Sequence, residues 1–158
     1  VGHKLDYAHR AWIQPGHWLT SDMQKANEDA AALYESWKKD VQVEEYRLED
    51  AEVVLTAYGI SARICKSAVE LLRAQGVKAG LIRPITVHPF PYAAYDHIDY
   101  SKVKAVLDVE MSIPAQFVDD VAVAVKDRCL IETCLCSGGN IMSRDKVLAA
   151  VKKIMEGK

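Results

Sequence analysis

The sequence predicts an α/β fold in which a mostly parallel sheet carries helices on both faces. Three observations point to it. Over residues 50–157, short apolar runs of strand length alternate with longer segments of helical period. The run "AEVVLTAYG" is apolar almost throughout, the pattern of a strand buried on both faces. Turn residues such as Gly59, Gly76, Pro84 and Gly138-Gly139 punctuate the joins.

The elements follow in order. "TSDMQKANEDAAALYESWKK" opens on Ser21-x-x-Gln24, a capping-box spacing, and puts Met23, Ala26, Ala30, Leu33, Tyr34 and Trp37 on one helix face. "VQVEEYRL" alternates like a half-buried strand, and its charges suit a sheet edge. Its short connection to the next strand leaves it free to pair elsewhere, including antiparallel. "SARICKSAVELLRAQG" reads as a helix capped by Ser61 and ended by Gly76. "VKAGLI" is the next strand, "YAAYDHI" a short helix, and "KVKAVLDVE" another strand. "PAQFVDDVAVAVKDR" reads as a helix with Pro114 in its first turn. "CLIETCLC" is the last strand, and "SRDKVLAAVKKIMEG" the closing helix.

Composition changes near residue 40. Residues 1–40 form an arm and helix that hold Trp12, Trp18 and Trp37, and residues 41–158 form the α/β domain. An arm of this size cannot bury three tryptophans alone, so they either pack on the body or anchor an interface. The turn signal Pro15-Gly16 falls in the same arm. The chain starts at Val1 without a signal-peptide apolar core, and the start is read as a truncation.

The 158 residues are 50% hydrophobic and 27% charged, with a net charge of −2. That balance is globular and gives no electrostatic footprint for nucleic acid. No apolar run reaches the length of a membrane span. Four cysteines are too few for a secreted disulfide framework in a chain this long, and they are read as reduced thiols of a cytoplasmic protein.

Ligands of open α/β sheets bind beyond the carboxyl ends of the strands. Four stretches occupy those ends. "YGISAR" brings Tyr58, Gly59, Ser61 and Arg63 to a helix start, either an anion site or an ordinary capped turn. "GLIRPITVHPFP" has three prolines within eight positions, a stiff loop that presents Arg83 and Thr86 and serves as a strand exit or an interface. Asp108 and Glu110 share one strand face, and such a pair can do acid–base work. No partner histidine or serine is placed beside them, so Glu110 is read first as a salt-bridge or capping residue. Ser137, Gly138 and Gly139 form a plain turn or an anion-holding nest. Cys134 and Cys136 share one strand face and are read as core residues. The histidines show no metal-binding spacing. No catalytic set emerges.

"QVEEYR", "LEDAEVVLTAYGISARICKSAVELLRAQGVKAGLIRPITVHPFP" and "KVKAVLDVEMS" together resemble the C-terminal region of the alpha subunit of 2-oxoacid:ferredoxin oxidoreductases. The lead-in is similar to the 2-ketoisovalerate, or branched-chain, type. Pyruvate and 2-oxoglutarate types remain open. The likeness runs over about residues 21–157, and two segments depart from the family's pattern: "DVEMSIPAQF" and "CLCSGGN".

The resemblance implies a transketolase C-terminal-domain fold, three layers α/β/α with a five-stranded mixed sheet whose first strand is antiparallel. It implies a whole enzyme that oxidatively decarboxylates a 2-oxoacid to acyl-CoA. That enzyme uses thiamine diphosphate, magnesium, iron–sulfur clusters and coenzyme A. None of these cofactors is expected on this chain, because no family ligand motif is matched in it. The implied partners are the remaining alpha-subunit domain, the thiamine-binding beta subunit, other subunits, and ferredoxin through the complex. A homodimer contact is left open. The chain by itself is expected to be inactive, with "RPITVHPFP" as a rigid docking edge. The alternative from the residues is a free-standing α/β domain that holds a small anionic ligand.

Overall fold

The structure is a computed structural model and describes residues 19–157. Trp12, Trp18 and the Pro15-Gly16 turn lie outside the described residues. The described residues fall into two units, 19–39 and 40–157.

The first unit is helix α1, Thr20–Trp37. Its N-cap position is Leu19, which makes no side-chain cap bond, so the capping box expected at Ser21 is not formed. Ser21 bonds its neighbour Asp22 instead. No residue of α1 is buried, although Tyr34 and Trp37 rings meet at 5.0 Å.

In the second unit the elements are β1 (Val43–Tyr46), β2 (Val53–Thr56), α2 (Gly59–Ala74), β3 (Ala79–Pro84), a 3-10 helix (Tyr92–His97), β4 (Ala105–Glu110), α3 (Phe117–Val125), β5 (Leu130–Leu135) and α4 (Arg144–Glu156). The five strands form one sheet in the order β1-β3-β2-β4-β5. β1 pairs antiparallel with β3, from Val43 opposite Pro84 to Tyr46 opposite Leu81. All other pairs are parallel. The mixed sheet with its first strand reversed at the edge is the one the sequence and the resemblance led us to expect.

Alternation along the strands separates two cores. Val53, Leu55, Leu81, Leu107, Val109, Cys134 and Cys136 face α2 and α4. Val54, Ile82 and Val106 face the 3-10 helix and α3. Adjacent strand residues point to opposite faces, so one unbroken apolar run supplies both cores. The three layers follow directly.

Pro84 ends β3 at a permitted place. β2 pairs with β3 only from Ala79 to Ile82, so Arg83 and Pro84 run beyond β2. A residue without an N–H therefore leaves no gap in the β2 ladder. Two other expectations are corrected. Ser61 does not cap α2; Gly59 at φ +56° turns the chain into the helix two residues earlier, and Ser61 is buried inside its first turn. Pro114 lies before α3 rather than in its first turn, because the helix begins at Phe117.

The β1–β2 connection is locked onto β3. Arg73 of α2 donates to the Ala79 carbonyl at 2.7 Å, the Arg47 carbonyl at 2.8 Å and Asp50 at 2.7 Å. Gly80 lies under the same connection. A Cβ there would come within 2.8 Å of the Arg47 oxygen and 2.9 Å of Leu48. Gly80→Ala is therefore expected to destabilise the domain by about 1–3 kcal/mol through overpacking. Urea unfolding of the two forms checks it; equal midpoints would contradict it.

Candidate functional site

The strand order reverses between β2 and β4, because the chain leaves β2 for β3 on one side and then crosses to β4 on the other. Such a switch point is where a crevice opens in sheets of this kind. Here it is filled from within. The Tyr58 ring rests on Phe117 at 5.1 Å, and Phe117 meets Phe90 at 5.6 Å. Phe90 in turn stacks on Tyr95 at 5.6 Å, whose hydroxyl is 2.5 Å from the Thr56 hydroxyl.

Two carboxylates lie near enough to Tyr58 for their charges to act on its phenol. Glu110 accepts from the Gln116 N–H at 2.8 Å and the Phe117 N–H at 3.2 Å, and from the Ser112 hydroxyl. Gln116 is the N-cap residue of α3 and offers no side-chain cap. The strand-end glutamate thus takes over the capping role, accepting the free N–H groups of the first turn. Burial alone would raise its pKa. The Ser112 hydroxyl, Asp108 and the backbone donors outweigh that and hold Glu110 below the usual carboxylate value.

Asp108 is 0% exposed, and neither of its oxygens receives a hydrogen bond among the described residues. Burial, reinforced by the Glu110 charge, pushes its pKa up to about 8. Asp108 is therefore the neutral acid at pH 7, and its own proton is the donor that faces Glu110. The pair is closed to solvent, with Glu110 only 1% exposed. It offers no face to a substrate, and the acid–base option considered from the sequence has no room to operate. Burial also raises the Tyr58 phenol, followed by the nearby charges of Glu110 and Asp108.

The other candidates are drawn into the domain's own bonds. Arg83 donates to Glu44 of β1 at 3.0 Å, and Lys66 of α2 reaches the same carboxylate. The Thr86 hydroxyl accepts from the Gln42 N–H at 2.9 Å, and the Ile85 and Thr86 N–H groups both bond the Gln42 carbonyl. The proline-rich loop is thereby pinned to the start of β1, and Phe90 buries its far end. Gly138 and Gly139 both have positive φ, and the Asn140 N–H closes the turn on the Ser137 carbonyl at 3.2 Å. The segment is a closed turn. Arg63 stands apart on the exposed face of α2. The structure does not bring Arg63, Arg83, Glu110 and Ser137–Gly139 into one pocket.

Cys65, Cys134 and Cys136 are buried, and burial raises the Cys65 and Cys134 thiols away from reactive thiolate. No group of three or more His, Cys, Asp or Glu side chains among the described residues is placed to hold a metal ion.

The sequence reading missed what the strand ends do expose. Ile60, Ile85, Val87, Ile113 and Ile141, with Tyr58, all stand at the carboxyl end of the parallel strands. Ile113 is 61% exposed and Ile141 68%. The signal was present as large apolar residues inside each of the four loops.

The fold and this edge define a three-layer α/β domain of the transketolase C-terminal type. The chain matches pyruvate:ferredoxin oxidoreductase core domain II over residues 51–147, and it belongs to that family. It is 40% identical over 117 residues to the ketoisovalerate oxidoreductase subunit VorB of Methanothermobacter marburgensis, covering 74% of this chain and 32% of that subunit. It is 35% identical over 97 residues to the alpha subunit of the NADH-dependent phenylglyoxylate dehydrogenase of Aromatoleum evansii, covering 58% of this chain and 23% of that one. Among solved structures it is similar to the 2-oxoglutarate:ferredoxin oxidoreductase of Magnetococcus marinus. That match has a TM-score of 0.70 at 19% identity and covers 88% of this chain and 24% of that one. A split-gene transketolase matches with a TM-score of 0.58 at 18% identity, over 72% of this chain and 41% of that one. The chain spans about a third of the length of the VorB subunits it matches.

The buried acid gives a pH test. Between its ordinary value and about 8, the native state keeps the Asp108 proton and the unfolded state has lost it. The native state then binds more protons, so this group's effect is that stability falls as pH rises across that window, by up to about 1.4 kcal/mol per pH unit. Asp108→Asn carries no such proton and still donates to Glu110. It is expected to melt higher than the parent at pH 8 and to lose that part of the slope. Parallel melting curves of the two forms across the window would contradict the assignment.

Proposed function

We propose that this chain is the core domain II portion of an alpha subunit of a 2-oxoacid:ferredoxin oxidoreductase, of the branched-chain type, and that it serves assembly rather than chemistry. The supporting observation is the exposed apolar edge on a domain in which Arg83, Thr86 and Glu110 are already bonded internally. Isolated apolar residues on a surface need no explanation, but a set of them at one end of a sheet marks an interaction surface. The occupant we assign is the preceding domain of the same subunit. The VorB relatives carry about two thirds of their length outside the segment matched here.

In this reading the whole enzyme converts a 2-oxoacid to its acyl-CoA and passes electrons to ferredoxin. Thiamine diphosphate, with magnesium, supplies the carbon–carbon cleavage there. The residues described here do not fit that group. Their one buried carboxylate pair is closed by the start of α3, and no metal-ligating cluster is present among them. They do not fit an iron–sulfur cluster either, since the cysteines are dispersed and mostly in the core. Those cofactors are assigned to other domains and to the beta subunit. This domain's part is to hold a rigid edge in place: Arg83–Glu44 and Thr86–Gln42 fix the loop that carries Ile85 and Val87. Residues 1–40 are assigned as the linker from the preceding domain. No described helix is long and apolar enough to cross a membrane.

The test is a charge placed on the edge in the complete subunit. Ile85→Asp with Ile113→Asp leaves the core untouched and is expected to cut recovery of assembled complex at least tenfold, with the isolated domain melting as before. Arg83→Ala is expected to weaken assembly less, by freeing the loop. Unchanged assembly and turnover in both variants would overturn the docking assignment.

A further inference from the structure

The sheet ends in two unlike edges. At one end β1 is charged: Glu44 is held by Arg83 and Lys66, and Glu45 by His97 at 2.9 Å. Charges of that kind keep an edge strand from pairing with another chain. At the other end β5 reads "LIETCL", with one charge and no proline. It pairs with β4 alone among the described strands. Its faces are open as well. β4 is buried at every residue, whereas only Cys134 of β5 is buried. Leu130, Glu132 and Thr133 are exposed, and Ile131 and Leu135 are half-buried. A short, mainly apolar strand open at its edge and on both faces is a template for one more strand.

The backbone fixes which groups point outward. The Cys136 N–H donates to the Glu110 carbonyl of β4 at 3.2 Å. Successive residues of a strand turn their peptide groups to opposite edges. Cys134, Glu132 and Leu130 therefore aim theirs at β4, and Ile131, Thr133 and Leu135 aim theirs outward. Lys146 of α4 donates to the Leu135 carbonyl, which lies on the outer edge as this alternation requires. No described residue bonds the outward groups of Ile131 or Thr133.

The strand is also complementary to itself. Two copies related by a two-fold axis can keep most of the strand paired in two antiparallel registers, centred on Glu132 or on Thr133. The first sets Glu132 directly against its own copy, and like charges in that position repel. The second sets Thr133 against Thr133, each exchanging both of its backbone bonds, with Ile131 against Leu135 on either side. Glu132 then lies opposite Cys134 of the second copy. That position is next to the Leu135 carbonyl held by Lys146, so acid approaches base across the pair.

We propose that β5 is a self-association edge, pairing antiparallel with β5 of a second copy of this chain about Thr133 to make one sheet continuous through both copies. The charged β1 edge ends that sheet, so the contact closes as a dimer rather than growing into a fibre. The assignment does not depend on the docking role, because β5 uses none of the apolar residues of the carboxyl edge.

Sedimentation velocity of the 158-residue chain over a concentration series, under reducing conditions, tests it. Two six-residue strands make a small interface, so particles of twice the 17.6 kDa chain mass are expected at about 10–100 µM protein. Thr133→Lys sets like charges against each other at the axis and is expected to weaken association at least about tenfold. Thr133→Pro removes an outward N–H that β4 does not use and is expected to do the same. Thr133 is exposed, so at dilute protein T133K should melt within about 2 °C of the parent, which separates lost pairing from lost folding. Mild oxidation of Thr133→Cys is expected to link two copies, with mass spectrometry placing the disulfide at the substituted position in both. A parent chain still monomeric at about 0.5 mM would overturn the proposal. So would a dimer that T133K and T133P leave intact, or a link found only at the native cysteines.

Discussion

One carboxylate joins the two halves of this domain's upper end. Glu110 is the last residue of β4, and it receives the first N–H groups of α3. Because the cap comes from the strand, the loop between them, 111–116, need not supply one. That loop is therefore free to carry exposed side chains such as Met111 and Ile113. The other end of α3 is held in a related way. Arg128 donates to the Ala124 and Val125 carbonyls, pairs with Asp96 and lies over the Tyr100 ring at 4.2 Å. A nine-residue helix is marginal by itself. Here it is clamped at both termini by side chains from neighbouring segments.

Asp108 shows what that clamp costs. Two carboxylates on one buried strand face cannot both be charged, so one keeps its proton. The arrangement looks like an acid–base pair in the sequence and acts as a structural one in the fold. The difference lies in access: both carboxylates are buried, and backbone N–H groups at the start of a helix, rather than a substrate, donate to Glu110.

Much of the fold was legible because burial on both faces leaves an unmistakable pattern in β2 and β4. The edge strand β1 was legible through its charges, Glu44 and Glu45, and its antiparallel pairing through the short connection that leads away from it. The helix starts were not. Ser61 and Ser21 are good capping residues in the wrong places. Gly59 starts α2 early by taking a positive φ, and α3 is capped by Glu110, seven positions before its first residue. Caps supplied from a distance leave no local motif. The pairing of the candidate residues inside the domain depends on contacts such as Arg83–Glu44, 39 residues apart, which no local pattern records. The apolar edge was written in the same loops and was masked by their prolines, glycines and charges.

If this domain docks as proposed, the carboxyl edge of its sheet is covered in the assembled complex. Hydroxyl-radical footprinting, read by mass spectrometry, tests it on the native complex and on the 158-residue chain alone. The account predicts that Tyr58, Ile60, Ile85 and Ile113 are labelled in the chain and protected in the complex. Equal labelling of these residues in both would contradict it.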